Sequence, residues 1–192
     1  MKKLKLFICV FILITLCGCT GYRETERGYL VTAIGFRKDN GKVEISLETL
    51  TASDTAQNSE SGNILYGAGQ NLTEAYYSLK SSLLKDVYYE HCGVIVVENS
   101  FDEEETVEIL TFCRTLQSLG IGVYVVKSDN VSGLFETRIL DESVGYGIIG
   151  LIKNAGQDKF SNKLYQIEKN QAAQKTFVLP KVNAKNNILI LE

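Results

Sequence analysis

The sequence predicts an α/β or mixed α+β domain, a mixed β-sheet with helices packed on it that starts with a β-hairpin. Three observations carry this. Residues 43–48 alternate apolar and polar side chains just after an Asn-Gly pair, and two runs, 91–98 and 121–126, are almost continuously apolar. The segments between those runs repeat apolar residues at helical spacing, which gives the order strand, strand, helix, strand, helix, strand.

Taken in order, residues 28–36 (GYLVTAIGF) read as a strand, 37–42 as a turn and 43–50 (VEISLETL) as a second strand. In the second strand Val43, Ile45 and Leu47 alternate with Glu44, Ser46 and Glu48, which predicts one buried and one wet face. Asn40-Gly41 supplies the positive φ values of a tight hairpin turn. Residues 52–63 hold no large apolar side chain and are expected to form a mobile loop. Asn71 with Glu74 has the form of a capping box, and Leu72, Ala75, Tyr76, Leu79, Leu83 and Leu84 follow at helical spacing. The run HCGVIVVE predicts a strand covered on both faces. A second helix is expected from Ser100, with Glu103 three places on, carrying Val107, Ile109, Leu110, Cys113 and Leu116. IGVYVV is a further buried strand, and residues 129–140, 143–155 and 162–174 are candidate helices. No repeat of the length that marks a solenoid is visible.

The first residues are an address rather than part of this fold. Lys2, Lys3 and Lys5 precede an uncharged apolar run from Leu6 to Leu16, and Gly18 and Cys19 follow it. These are the three parts of a secretory signal, and the run is short of the roughly 20 residues that span a bilayer. Leu16-Cys17-Gly18-Cys19 resembles a bacterial lipobox. The resemblance implies cleavage after Gly18, diacylglycerol on the Cys19 thiol and a further acyl group such as palmitate on the new amino terminus. Cys17 fits less well, because Leu16 would then occupy the position that needs a small side chain. The expected organisation is a lipoprotein signal peptide over 1–18, a lipidated tether over 19–27 with charged YRETER, and one domain over 28–192.

Without residues 1–18 the formal charge moves from −3 to −6, because three lysines and no carboxylates leave. A mildly acidic chain without a basic cluster gives no electrostatic reason to bind nucleic acid. Cys92 and Cys113 are the cysteines left beside Cys19; export permits a disulfide, their spacing matches no metal or redox motif, and buried free thiols are expected.

Each candidate for chemistry has a plainer reading. Gly145–Gly150 (GYGIIG) matches G-x-G-x-x-G, but the preceding RILDESV is no clear strand, so a glycine-loosened helix or turn capped by Ser143 is expected instead of a dinucleotide site. Asp102–Glu105 (DEEE) lacks the alternating ligands and central glycine of a calcium loop, and carboxylates in a first helical turn complement the helix dipole. His91 is the only histidine and has no nucleophile elbow with it, so a hydrogen-bonded structural role is expected. Asn71-Leu72-Thr73 and Asn130-Val131-Ser132 are glycosylation sequons only in a eukaryotic host, which the lipobox argues against. No catalytic, cofactor-binding or metal-ligating set emerges, and the residues support an anchored domain that acts by binding.

The ordered features resemble the Ger(x)C lipoproteins, the C subunits of nutrient germinant receptors in endospore-forming bacteria. The carriers are the lipobox with its charged tether and first two strands, the helix in GQNLTEAYYSL, His91 before the strand of HCGVIVVENSF, the run FCRTLQSLGIGVYVVKSDNVSGLFE, and FVLPKV with Pro180. The tether lacks the tryptophan that commonly follows the family's cysteine. The resemblance implies a non-enzymatic lipoprotein on the outer face of the spore inner membrane, held to lipid through Cys19 and associating with membrane-embedded A and B subunits in spore germination. It also implies that the chain holds only the N-terminal domain, its NNILILE reading as a strand just beginning. Cys19 is the one site residue it assigns. The rival reading is a stand-alone solute-binding lipoprotein of an importer, for which about 174 residues leave little room for two lobes.

Overall fold

The computed structural model describes residues 28–50, 63–137, 143–156 and 162–192. The expected signal peptide, Cys19, the expected tether and the expected loop as far as residue 62 lie outside them. The first strand, β1 (Tyr29–Asp39), turns through Asn40 and Gly41 (φ 50° and 78°) into antiparallel β2 (Lys42–Leu50). This is the predicted hairpin. The loop expected over 52–63 ends earlier than its composition implies, because Asn63 already opens a third strand, β3 (Asn63–Gly69), antiparallel to β2. Helix α1 (Leu72–Ser82), a two-residue strand β4 (Val87–Tyr88), β5 (Val94–Glu98), α2 (Glu103–Cys113) and β6 (Tyr124–Ser128) follow. The strands form a mixed sheet in the order β3-β2-β1-β5-β6, with β5 and β6 parallel to β1 and β4 paired beside the start of β1.

Both faces of this sheet are covered. On one, Leu72, Ala75 and Leu79 of α1, Ile109, Leu110 and Cys113 of α2, and Leu164 and Ile167 of a later helix, α5 (Leu164–Ala172), pack on Ile34, Phe36, Ile45, Leu47, Ile95 and Val125. On the other, α3 (Val131–Glu136), α4 (Val144–Asn154) and a hairpin of β7 (Val182–Lys185) and β8 (Ile188–Leu191) pack on Ala33, Val94, Val96 and Val126. The fold is therefore a mixed sheet between two helical layers, an α+β domain that begins with a hairpin.

The second layer overturns one expectation. Glu44, Ser46 and Glu48 do not form a wet face: Ser46 and Glu48 are both 2% exposed. Glu48 is buried because α4 stands on it. Its Oε1 accepts the backbone N–H of Val144 at 2.6 Å, and its Oε2 accepts that of Gly145 at 2.9 Å and the hydroxyl of Thr32 at 2.6 Å. Thr32 can reach it because the β1–β2 register jumps between Val31 and Ala33, a bulge that turns the threonine toward the carboxylate. The carboxylate meets three donors, two of them the orphan N–H groups of a helix start, which is how a buried acid is made tolerable. Gly145 admits this approach, since a Cβ there would lie 2.7 Å from the Thr32 carbonyl oxygen.

Two helix limits also differ from expectation. The second helix is capped by Asp102, not Ser100: Asp102 Oδ1 accepts from Glu105 N at 2.8 Å, and Glu105 Oε2 accepts from Asp102 N at 2.9 Å. Ser100 is held instead in the preceding turn, its hydroxyl on Glu98 Oε2 at 2.7 Å. Helix α1 is capped by Asn71, whose Oδ1 accepts from Glu74 N at 2.9 Å, but the Glu74 carboxylate takes the amide of Gln70 at 2.9 Å instead of closing the expected box on Asn71 N, and the helix stops at Ser82. The hydroxyls of Ser81 and Ser82 bond back to the carbonyls of Ser78 and Leu79, and Leu83 is already extended. Leu83 and Leu84 thus fall outside the helix.

The far edge of the sheet is stitched to the last hairpin by polar contacts. Lys127 N donates to the Pro180 carbonyl at 2.9 Å, and Asp129 accepts from Lys181 Nζ, Asn99 Nδ2 and Asn183 Nδ2. Lys181, then Asn99, hold the Asp129 carboxyl below its usual pKa. The Lys127 ammonium, half buried, donates to the Phe101 carbonyl at 2.8 Å and the Thr106 hydroxyl at 2.9 Å, and burial draws its pKa down.

The carboxylate under α4 is testable by urea unfolding. Glu48→Gln is expected to cost about 2 kcal/mol, because either amide orientation turns an NH₂ group toward an N–H donor. Glu44→Gln, which only loosens a pair with Arg37 near the surface, should cost about 1 kcal/mol or less. Equal midpoints for the two variants would show that the buried contact does not hold α4.

Candidate functional site

A concavity of about 690 Å³ opens where α1 ends and the chain crosses to β4. Its floor is aromatic. Tyr88 pairs in parallel with Leu30, while Tyr89 and Tyr76 stand beside it. Both Tyr88 and Tyr89 are buried, so these tyrosines cover the core as well as floor the groove. Burial, and then Tyr76, push the Tyr89 phenol far above its ordinary pKa. An edge-to-face series continues inward from the floor, with Tyr76 to Phe112 at 5.5 Å and Phe112 to Phe36 at 6.4 Å between ring centroids. The floor is thus part of the rigid core.

The rim is of a different kind. It includes Lys80, from the outward face of α1, Leu84 and Lys85, beyond its end, and Glu90, Gln117 and Ser118. Leu84 is 92% exposed, the most exposed large apolar side chain among the described residues. Tyr29 N donates to the Asp86 carbonyl at 2.8 Å, which ties this rim to the first residues of the sheet. Periodicity places Leu84 on the buried face of α1; the two serines that end the helix turn it out instead. Tyr88 and Tyr89 line the groove, and His91, next in the chain after Glu90 of the rim, is exposed. No side-chain hydrogen bond holds His91 among the described residues, so the structural bond expected for it is not seen there.

The other candidates are absorbed by the fold. The N-terminus of α4, at GYGIIG, has its first amides on Glu48 and the next, of Tyr146, on Ser143 Oγ at 3.2 Å, so no free amide cradle faces a phosphate. Asp102 and Glu105 cap α2 reciprocally, and among the described residues no group of three or more His, Cys, Asp or Glu side chains is placed to hold a metal. Cys92 and Cys113 are free buried thiols, as expected. Burial pushes the Cys92 thiol up to about 12 and that of Cys113 well above its ordinary value. Neither is a nucleophile in this state. The groove therefore offers shape, an aromatic floor and a rim of mixed charge, with Lys80 and Lys85 beside Asp86 and Glu90. Cys19 lies outside the described residues, and among those residues no helix is long and apolar enough to cross a membrane.

Residues 21–184 match a family model described as the spore germination protein N-terminal domain. No curated protein and no solved structure gives a match.

The buried thiols set a pH dependence. Unfolded cysteine ionises near about 8.5, whereas the folded Cys92 thiol holds its proton to about 12. The folded state therefore keeps protons that the unfolded state loses, and this contribution to stability is complete at neutral pH and declines as pH rises from about 8.5 toward 12. Cys92→Ala is expected to flatten that decline in denaturation midpoints taken across the alkaline range. An unchanged slope would place the effect elsewhere.

Proposed function

The chain belongs to the spore germination protein N-terminal domain family, and from that premise we propose that it is the lipid-anchored C subunit of a nutrient germinant receptor. The observation that carries this is positional. The family match starts at residue 21, two residues beyond the cysteine of the lipobox, so anchor and domain follow one another as such a subunit requires. In this reading Cys19 carries the lipid, the outer face of the spore inner membrane is the location, and membrane-embedded A and B subunits are the partners.

The task of such a subunit is mechanical and associative. One acyl chain binds membranes marginally and two hold stably, at about 0.8 kcal/mol per buried methylene, so a diacylated and N-acylated Cys19 keeps the domain on the surface. The rigid three-layer domain then presents its groove and loops to neighbours at high local concentration. No bond need be made or broken by its residues. A solute-binding lipoprotein closes two lobes on its ligand; the described residues form one sheet with a helical layer on each side, which favours the receptor reading.

The test is a pull-down from detergent-solubilised spore membranes with the intact protein and with Cys19→Ala, identifying co-purifying chains by mass spectrometry. Polytopic A-type and B-type chains are expected with the intact protein and should be reduced or lost with the variant. A permease in their place, or no partner at any stage of sporulation, would overturn the assignment.

A further inference from the structure

β1, β5 and β6 run parallel, so the segments that lead into them share one end of the domain. Gly28, where the chain leaves the tether, is at this end. So are the α1–β4 crossing with Leu84 and Lys85, and the α2–β6 loop, whose Gln117 and Ser118 line the same groove as Leu84. The second loop continues to Ile121, which is 53% exposed and whose carbonyl accepts from Tyr165 N at 3.1 Å. Two aliphatic side chains on two loops at this end are thus turned outward, Leu84 at the groove with Lys80 and Lys85 and Ile121 three residues beyond the groove's Ser118. The first turn of α2, with Asp102, Glu103, Glu104 and Glu105, is at the opposite end, after β5. A chain whose mature charge is −6 puts that acidic turn away from its tether.

Nine residue steps separate Cys19 from Gly28, which at full stretch is roughly 30 Å and in an ordinary coil much less. The tethered end is therefore always within reach of the bilayer. From this juxtaposition we infer that this end of the domain rests on an anionic membrane surface, Leu84 and Ile121 entering the headgroup layer while Lys80 and Lys85 meet lipid phosphates. Asp86 and Glu90 share the rim and moderate the attraction, so the aliphatic tips supply the contact and the lysines its preference for anionic lipid. The inference rests on anchoring at Cys19, and it adds an orientation: the acidic turn of α2 faces away from the membrane.

The test places an environment-sensitive fluorophore on single introduced cysteines in the processed, lipidated chain. Leu84→Cys and Ile121→Cys probe the proposed contact. Val178→Cys is the control, since Val178 is 87% exposed and lies beside Asn99 and Asp102 at the opposite end. Cys92 and Cys113 are buried and Cys19 carries lipid, so labelling falls on the introduced thiol. In vesicles of phosphatidylglycerol and phosphatidylcholine in equal parts, quenchers carried on the lipids are expected to act at least about twofold more strongly at 84 and 121 than at 178. Lys80→Glu with Lys85→Glu, or vesicles of phosphatidylcholine alone, should reduce that difference. Equal quenching at all three positions on vesicle-bound protein would overturn the docking and leave the anchor intact. A processed chain that stays in the supernatant would overturn the anchor and the docking with it. Quenching at 84 and 121 only when polytopic chains are present would assign this face to a protein partner instead.

Discussion

Glu48 meets the amides of Val144 and Gly145 across 96 residues of chain, and the second helical layer depends on that contact. An acid this deeply buried is costly unless every lone pair in use has a donor. Here the cost is offset from two directions at once. The bulge at Thr32 brings a hydroxyl from β1, and α4 brings two amides that would otherwise be orphans of the helix start. Each partner solves the other's problem, so sheet and helix are specified together. Apolar packing of Val144, Ile148 and Ile152 then follows from where the carboxylate puts the helix axis.

The hairpin, α1, β5, α2 and β6 were legible because each carries a short-range signal: the Asn-Gly turn, the capping residues, an unbroken apolar run. The illegible parts share a cause, which is that their meaning lies in distant neighbours. Glu48 alternates with Leu47 as a solvent-facing residue does, and only α4, far along the chain, makes it interior. β3 reads as weak because its inward residues include Gly67 and Gly69; α1 lies so close that a Cβ on Gly67 would be 2.3 Å from the Leu79 nitrogen. β7 carries a proline just before it and few apolar residues, and its identity comes from the Asn186-Asn187 turn and from Lys181 and Asn183 bound to Asp129. The rim of the groove was not visible, because it depended on two serines ending a helix two residues before the apolar pattern does.

The two ends of the domain are built for different tasks. At the C-terminal ends of the parallel strands the polar groups are spent on one another, in the cluster of Asp129, Asn99, Lys181 and Asn183 and in the carbonyl and hydroxyl that Lys127 engages. In many parallel sheets this end is where ligands sit; here Asp129 and Lys127 are engaged by the chain's own groups, beside a smaller hollow of about 290 Å³. The end where β1 begins has an aromatic floor beneath long lysines and exposed aliphatic tips. Rigid beneath and adaptable above is the arrangement expected of a surface that meets something broad and soft rather than a small solute.

The long separation between Glu48 and α4 also bears on how the chain is made. The sheet's first hairpin emerges from the ribosome complete, and β3 with α1 soon after, but the amides that Glu48 needs are synthesised 96 residues later. At typical elongation rates of 5–20 residues per second that gap is roughly 5–20 s, long against the microseconds of hairpin formation. Throughout it the central strands have one face covered at best, and a glutamate bound for the interior remains in water. Waiting in this way leaves one carboxylate, that of Glu48, on the otherwise apolar open face of Ala33, Val94, Val96 and Val126 until α4 arrives to close it.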